Sequence, residues 1–417
     1  MIVLGIETSC DETAVGIVED GRILHANAVL SSMDLHAAYG GVVPEIAARS
    51  HIEAMQPVLD QAFAQAKISW EDIDAIAVTF GAGLGGSLLV GVMTARTLSI
   101  TKNKPLYACN HVEAHVYANF LTEIGRTANG ERRTEENYHR SSFIVHRSKD
   151  QHAHLQDYVL PESAPLFPAL ALVVSGGHSQ LVLFRDHFDY TLLGQTRDDA
   201  IGEAFDKVAK ITGLPYPGGP SVGAKALEGN SKAFSLPKAK LETGSDALSK
   251  LRALNGERRT ANGETGSPFT IQRSPFPKSY DFSFSGLKTA VLRQAQALCG
   301  QDFTFPSHKL PDSLSEPQKA DIAAVFQRVA IETVVDKTIQ AYEEFQPASV
   351  VIAGGVAASP ELRRQLKERL PIDIYYQDPK LCTDNGAMIA TLGCYKATLG
   401  QPAADPYSLE IEPNLSM

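Results

Sequence analysis

The sequence lacks the marks of a membrane or secreted protein. No apolar run reaches the roughly 20 residues of a membrane-spanning helix. The chain begins on a strand pattern, and no signal peptide is recognisable. Five cysteines include no Cys-x-x-Cys pair, which predicts packed thiols in a reducing compartment. We therefore expect a cytoplasmic protein with no membrane partner.

Positive charge is also scarce. The chain has 38 Lys and Arg against 48 Asp and Glu, a formal net charge of −10 at pH 7. Phosphate binding favours a positive surface, so this balance argues mildly against nucleic acid unless a local patch or a partner protein supplies the charge. The length of 417 residues with 44% hydrophobic content predicts two domains.

No Walker phosphate loop is present, although glycine-rich turns recur. A strand predicted at Ile73–Thr79 ends in Gly81–Ser87, which no Gly-Lys-Ser/Thr follows, and a helix is predicted over Leu88–Ser99. Such a turn lets backbone N–H groups approach an anion. Tight strand–helix packing explains these glycines equally well.

A histidine pair follows the apolar run Pro105–Asn110. In a helix, His111 and His115 share one face and can bind one divalent ion, although two polar-face histidines without a ligand fit the pattern as well. Glu113 lies about 200° around the helix from His111. The zinc-protease motif has its acid beside the first histidine, so Glu113 cannot be the general base of such a site, which argues against a protease.

Two strand–turn–strand units predict a duplicated α/β domain. The first runs through Ile2–Thr8 and Ala14–Glu19, with an Asp20-Gly21 hairpin turn into Ile23–Val29. A unit of this kind opens the actin, Hsp70 and sugar-kinase class of fold, although a plain hairpin fits too. The second runs from Ala169–Val174 to Gln180–Arg185. We expect a two-domain actin-like fold with mixed sheets and a ligand cleft between the halves.

The rest of the chain alternates predicted helices and strands. Helices are expected at 43–66, 198–212, 316–345 and from Pro360, and strands at Ser349–Ala353 and Ile372–Tyr376. Tyr216–Pro220 reads as a rigid turn. Thr383 or Asp384 is expected near the cap of the last major helix.

Composition divides the chain into segments. Residues 1–123 form the predicted N-terminal subdomain, and 166–398 the C-terminal one. Residues 124–165 and about 235–268 are polar insertions, with a short echo between 125–134 and 255–264. Residues 399–417 form a tail expected to pack back on the N-terminal subdomain.

An ordered set of motifs resembles a known family along the whole chain apart from the insertions. The set comprises Glu7–Thr13, His111–His115, Ser175–His178, Glu203–Lys207, Tyr216–Pro220, Phe282–Thr289, Gly354–Ala358 and Thr383–Ala387. It resembles the tRNA threonylcarbamoyladenosine transferase family, the TsaD branch once labelled a glycoprotease. The resemblance implies transfer of threonylcarbamoyl from threonylcarbamoyl-AMP to N6 of adenosine 37, in tRNAs reading codons that start with A.

The resemblance also implies roles for residues and partners. One divalent metal, Fe²⁺ with Zn²⁺ as the alternative, would be held by His111, His115 and Asp384. The adenylate would meet substrate-binding residues Val173, Val174, Ser175, Gly176, Gly177, Asp206, Gly219 and Ser359. Asp11 and Glu12 are the catalytic candidates, for the attacking amine or the tRNA. A paralogous TsaB-like subunit and a small TsaE-like ATPase are the implied partners.

Two positions depart from the family pattern. Ser359 stands where asparagine is common and has a shorter side chain with which to reach the adenylate, and Gly223 stands where a carboxylate sometimes occurs. Three other interpretations remain: an ATPase or small-molecule kinase of the same fold, a non-catalytic scaffold subunit, and a protease. The kinase gives no use to His111 and His115, although fold analogy alone does not exclude it. The scaffold has no reason to keep both histidines and Asp384, and the position of Glu113 argues against the protease.

Overall fold

The computed structural model describes residues 1–37, 39–125, 158–238 and 280–417. The echoed segments and most of the two polar insertions lie outside these ranges. The chain divides into two compact units. The first comprises Met1–Leu166, Val351–Ala358 and Ile374–Met417, and the second comprises Phe167–Val350 and Ser359–Asp373.

The first sheet has six strands in the order β5-β4-β1-β2-β3-β6. Their bounds are β1 Ile2–Glu7, β2 Glu12–Glu19, β3 Ile23–Ser31, β4 Ala75–Gly81, β5 Leu106–Asn110 and β6 Glu123–Ile124. Strands β1 to β3 are antiparallel, whereas β4 is parallel to β1 and β5 to β4. The helices Pro44–Ala66 and Gly85–Lys102 supply the crossovers that parallel strands require.

The second sheet repeats this order as β11-β10-β7-β8-β9. Its strands are β7 Ala169–Val174, β8 Ser179–Asp186, β9 Asp189–Gln195, β10 Ser349–Ala353 and β11 Ile374–Tyr375. In both sheets a three-strand antiparallel meander comes first, and two later strands extend the sheet beside its first strand. This duplicated order confirms the predicted actin-like α/β class.

The remaining helices connect and cover these strands. They are Met33–Ala37, His111–Tyr117, Ile201–Thr212, Gly218–Ala226, Ser285–Leu298, Leu310–Ser313, Glu316–Phe345, Pro360–Arg369, Pro379–Cys382 and Gly386–Thr398. Short 3₁₀ turns occur at Ala118–Phe120, Ser307–Lys309 and Gly355–Ala358. Among the helices of the described ranges, none has the length and apolar character needed to span a bilayer.

Local chemistry explains where the predictions hold. Asp20 and Gly21 turn with φ of 52° and 67°, as the hairpin prediction requires. Pro44 occupies the first turn of its helix. Under the sheet, apolar side chains of β1, β2 and β4 pack on the two crossover helices, among them Leu4, Ile17, Ile76, Val58 and Val92.

Two local predictions were wrong, and one strand was not predicted. Strand β9 was not anticipated, because only its second half is buried and its alternation is weak. The helix expected from Asp198 begins at Ile201, since the Asp198 carboxylate accepts hydrogen bonds from Ser283 Oγ and Phe284 N instead. The predicted turn at Tyr216–Pro220 runs into a helix beginning at Gly218.

Candidate metal centre and substrate residues

The histidine pair lies on a short helix that one asparagine caps. Strand β5 ends at Asn110, whose Oδ1 accepts the N–H groups of Val112 at 2.8 Å and Glu113 at 3.3 Å. Such a cap satisfies backbone donors that have no partner within the helix. His111 and His115 are both buried, with ring centroids 4.7 Å apart at 79°.

Asp384 meets the two histidines from a distant part of the chain. Its Oδ1 lies 3.3 Å from His115 Nε2 and 3.6 Å from His111 Nε2. One potential ligand atom from each residue lies within 4.8 Å of the others. Asp384 was expected near a helix cap, but the cap is Asn385, whose side chain accepts Met388 N at 3.0 Å. The Asp384 carboxylate is therefore not used as the cap.

Glycines set how closely the Gly386–Thr398 helix approaches the first sheet. A Cβ added at Gly16 would stand 2.2 Å from the backbone N of Ala387, and one at Gly386 would stand 2.1 Å from Gly16 N. Gly5 has the same relation to the helix one turn further along. Because backbone contacts backbone here, Asp384 is brought to the edge of the sheet from which the histidine helix starts.

Glu7 orients His111, and its role was not predicted from the sequence. This fully buried carboxylate accepts hydrogen bonds from Ser9 N and Thr79 Oγ1, each at 2.5 Å, and lies 3.2 Å from His111 Nδ1. With the Nδ1 proton held towards Glu7, Nε2 is the atom left for a ligand bond. The available signal was an acid ending an otherwise apolar, buried strand.

The charges of this cluster shift the pKa values of His111 and Glu7. Burial alone would lower the pKa of His111, but the carboxylates of Asp384 and Glu7 outweigh burial and raise it to about 9. Burial would raise the pKa of Glu7, but the His111 charge and hydrogen bonding lower it below its usual range. The cluster therefore stabilises positive charge beside two carboxylates.

The surroundings of the His115 ring test whether a cation fits between His115 and Asp384. Its side chain is almost fully buried, and neither ring nitrogen finds a hydrogen-bond partner within the described ranges. Nε2 approaches the Asp384 carboxylate without the geometry of a hydrogen bond. Buried polar atoms are normally satisfied, and a cation between the two groups would satisfy both. Two imidazoles and a carboxylate suit Fe²⁺ or Zn²⁺.

Three other acids surround or flank the cluster. Asp11 and Glu12 lie where β1 turns into β2; burial, then the charges of Asp384 and Asp11, hold the pKa of Glu12 well above its usual range. Glu113 lies outside the donor cluster, as its spacing predicted. Burial raises the pKa of Glu113 to about 7, partly offset by the charge of Lys396.

The predicted adenylate residues lie in the second unit. Val173 and Val174 are buried at the end of β7, and the turn that follows exposes Gly176 and Gly177. A Cβ at either glycine would meet no atom within 4 Å, so packing does not require glycine there. The turn is held by Ser175, whose N–H donates to His178 O at 2.8 Å and whose Oγ accepts His178 N–H.

Of the remaining predicted residues, Asp206 lies within the helix Ile201–Thr212, whereas Gly219 and Ser359 lie at helix starts. Asp206 accepts the N–H of Gly218 at 2.6 Å, and burial raises the pKa of Asp206 despite this bond. This acceptor explains why a helix begins at two glycines. A Cβ at Gly219 would meet nothing within 4 Å. Ser359 caps the helix Pro360–Arg369 by accepting Leu362 N at 3.4 Å.

The glycine-rich loop after β4 has a packing explanation. A Cβ at Gly81 would stand 2.1 Å from Glu412 O, and one at Gly83 would stand 2.6 Å from Ser9 O. Gly83 also has a φ of 155°, which side chains rarely adopt. Of the two explanations left open by the sequence, close packing accounts for these two glycines.

The two sheets and the His–His–Asp cluster together define an actin-like α/β protein with a candidate metal centre. The family model described as "TsaD: tRNA N6-adenosine threonylcarbamoyltransferase" matches residues 23–129 and 149–391. The chain belongs to this family.

Curated relatives agree over nearly the full length. The chain is similar to the tRNA N6-adenosine threonylcarbamoyltransferase of Thermomicrobium roseum, with 44% identity over 409 residues, covering 96% of this chain and 93% of that protein. The protein of the same name from Caldicellulosiruptor saccharolyticus is 38% identical over 420 residues, covering 100% and 98%. These relatives confirm the predicted family and favour a transferase over a kinase, a scaffold or a protease.

A solved structure gives a weaker match. Full-length HypF in its phosphate- and nucleotide-bound form is 12% identical, with a TM-score of 0.47, and the match covers 96% of this chain and 47% of that one. The fold class therefore stands on the strand order of the two sheets.

Proposed function

We propose that this protein transfers the threonylcarbamoyl group from threonylcarbamoyl-AMP to N6 of adenosine 37 in tRNAs that read codons starting with A. The observation that carries the proposal is the convergence of His111, His115 and Asp384 in a chain that belongs to the transferase family. In the reaction, N6 bonds to the carbamoyl carbon, the bond from that carbon to the phosphate oxygen breaks, AMP leaves with the electron pair, and N6 loses a proton.

The three convergent side chains would hold one divalent cation, with Fe²⁺ as the expected metal and Zn²⁺ as the alternative. When bound, the cation supplies a Lewis acid for the carbamoyl carbonyl. The chain's own contribution is the orientation of its ligands. Glu7 holds His111 Nδ1, and the glycine contacts of the Gly386–Thr398 helix fix the carboxylate of Asp384.

The turn after β7 would bind the adenylate phosphate. Gly176 and Gly177 are exposed and unpacked, so their backbone N–H groups are accessible to the leaving phosphate. Hydrogen-bond donors placed where negative charge develops on the leaving phosphate lower the barrier to the departure of that phosphate. Val173 and Val174 fix the turn through burial, and Ser175 closes it.

The nucleoside would be bound at the two helix starts. Asp206 can accept hydrogen bonds from ribose hydroxyls, and Gly219 leaves room beside it. Ser359 would contact the adenylate with a shorter side chain than the asparagine common in the family. Asp11 and Glu12 remain the candidates for contact with the attacking amine, since Glu12 lies within the electrostatic reach of Asp384.

The decisive test is a transfer assay with threonylcarbamoyl-AMP and unmodified tRNA, run with and without the TsaB-like and TsaE-like subunits that the resemblance implies. The wild-type protein should modify the tRNA and contain metal. The His111→Ala/His115→Ala variant should lose both while remaining folded, whereas His308→Ala, at an exposed histidine, should retain both. Wild-type transfer by the double variant would contradict the proposed centre.

A further inference from the structure

The segment Ala404–Ser416, here called the strap, packs along the first unit. Its first residue pairs with the edge strand β5, where Ala404 N donates to Leu106 O at 2.7 Å. Leu409 and Ile411 pack against the hydrophobic core under the first sheet. The strap is therefore part of the fold of this unit.

One arginine holds the middle of the strap. Arg96, on the helix Gly85–Lys102, donates from Nε to Pro406 O at 2.6 Å, from Nη2 to Tyr407 O at 2.6 Å and from Nη1 to Leu409 O at 3.3 Å. A planar guanidinium presents donors in a fixed arrangement, so three carbonyls bound at once fix the path of this stretch.

Beyond Ile411, the strap is hydrogen-bonded to the end of β4 and to the loop that follows it. Glu412 N donates to Phe80 O at 2.7 Å, and Gly83 N donates to Pro413 O at 3.1 Å. The absence of a side chain at Gly81 leaves room for the carbonyl of Glu412. These bonds fix the loop between the strap on one side and the site on the other.

The same loop contacts Ser9, a neighbour of His111. Leu84 N donates to Ser9 O at 2.7 Å, and Ser9 Oγ lies 3.1 Å from His111 Nδ1. The strap thus reaches His111 through three successive contacts, from Pro413 to the loop, from the loop to Ser9, and from Ser9 to His111.

A second route passes through the helix cap. Asn110 uses Oδ1 to cap the helix that carries both histidines, and its Nδ2 donates to Ser416 O at 3.3 Å. One side chain therefore joins the strap to the first turn of the histidine helix. The two routes use different residues: the first ends at the His111 imidazole, and the second ends at the backbone of the first turn of its helix.

We propose that the strap positions the histidine helix for metal binding, through Asn110 and through the loop Gly81–Leu84. This inference rests on the proposed metal centre. The strap contributes no ligand of its own, so its effect is on the geometry and affinity of the centre. Groups that orient metal ligands typically change affinity by about 10- to 100-fold when they are altered.

The test measures Co²⁺ binding to the purified protein, with the visible absorption of the bound ion as a report of ligand geometry. A variant that stops after Ile411 keeps the Arg96 contacts and the two core side chains, and should fold. Asn110→Ser keeps an oxygen that caps the helix but lacks the amide donor to Ser416. Both variants should bind Co²⁺ at least about tenfold more weakly, with an altered spectrum.

Two controls separate the possible outcomes. Tyr407→Ala removes an exposed side chain and leaves the backbone carbonyl that accepts from Arg96, so this variant should bind Co²⁺ as the wild type does. Wild-type affinity and spectrum in both the shortened protein and Asn110→Ser would overturn the role of the strap. Co²⁺ binding unchanged by His111→Ala/His115→Ala would instead overturn the metal centre itself, and the role of the strap with it.

Discussion

The replacement Glu7→Gln tests the electrostatic core of the candidate centre. It preserves the size of a fully buried side chain and removes the negative charge beside His111 Nδ1. The carboxylate accepts from two donors besides His111, and an amide offers one acceptor oxygen where the carboxylate offers two. At least one buried donor therefore faces the new NH₂ group.

The expected losses of stability and of metal affinity follow from these hydrogen bonds. A buried donor left unsatisfied costs about 1–3 kcal/mol in the free energy of unfolding. Loss of the group that orients a ligand histidine weakens metal binding by about 10- to 100-fold. We therefore expect Glu7→Gln to fold with reduced stability and to bind Co²⁺ more weakly by that factor.

The pH dependence distinguishes orientation from simple destabilisation. Because the pKa of metal-free His111 is about 9, metal binding below that pH must displace a proton, so the affinity rises with pH up to about 9. Glu7 is one of the two carboxylates that raise this pKa. In Glu7→Gln the pH at which the affinity levels off should shift to a lower value.

The assay is a competition titration of Co²⁺ against a chromophoric chelator, repeated from about pH 7 to pH 9.5. Glu71→Gln, at an exposed glutamate, serves as the matched control and should change neither affinity nor profile. An unchanged affinity together with an unchanged pH profile in Glu7→Gln would refute the assignment of Glu7 as the group that orients His111.

Three further predictions concern the surroundings of the site. The pKa of Glu113 is raised by burial, so its contribution to stability is present below its unfolded pKa of 4.5 and is lost as pH rises through about 7. Glu113→Gln should therefore be more stable than the wild type at pH 8, by up to about 3 kcal/mol in urea unfolding, whereas exposed Glu123→Gln should not. Gly16→Ala should cost about 1–3 kcal/mol in unfolding and weaken metal binding, whereas Gly41→Ala, with no atom within 4 Å, should cost less than about 0.5 kcal/mol. Ser359→Ala should lose about 1 kcal/mol of cap stability, whereas Ser359→Asn should keep the cap and lower the KM for threonylcarbamoyl-AMP in the transfer assay.

Much of the fold was predictable because short stretches of sequence determine it. The Asp20-Gly21 turn, the apolar strand of β1 and the proline that opens the helix at residue 44 each reflect steric preferences of a few neighbouring residues. Strand β9 was not predicted, because its weak alternation gives little local signal.

The candidate site also contains residues that local spacing predicted and residues that it did not. The spacing of His111 and His115 predicted a shared helix face, and it excluded Glu113 from that face. Asp384 could be assigned only through the family resemblance, because no local pattern links it to residues so far away in sequence. Glu7 was missed because an acid that ends an apolar strand does not by itself indicate a partner as distant in sequence as His111.

By itself, the sequence determined the two strand–turn–strand units, the helical histidine pair and the resemblance to a transferase family. Only the tertiary structure decided which carboxylates face those histidines, and that Gly81 and Gly83 serve packing. The physical reason is range: propensity and periodicity act between near neighbours, whereas hydrogen bonds and close backbone contacts depend on where distant segments meet. The position of the strap depends on such contacts between distant segments, since its hydrogen bonds with Arg96 and Asn110 exist only in the folded chain.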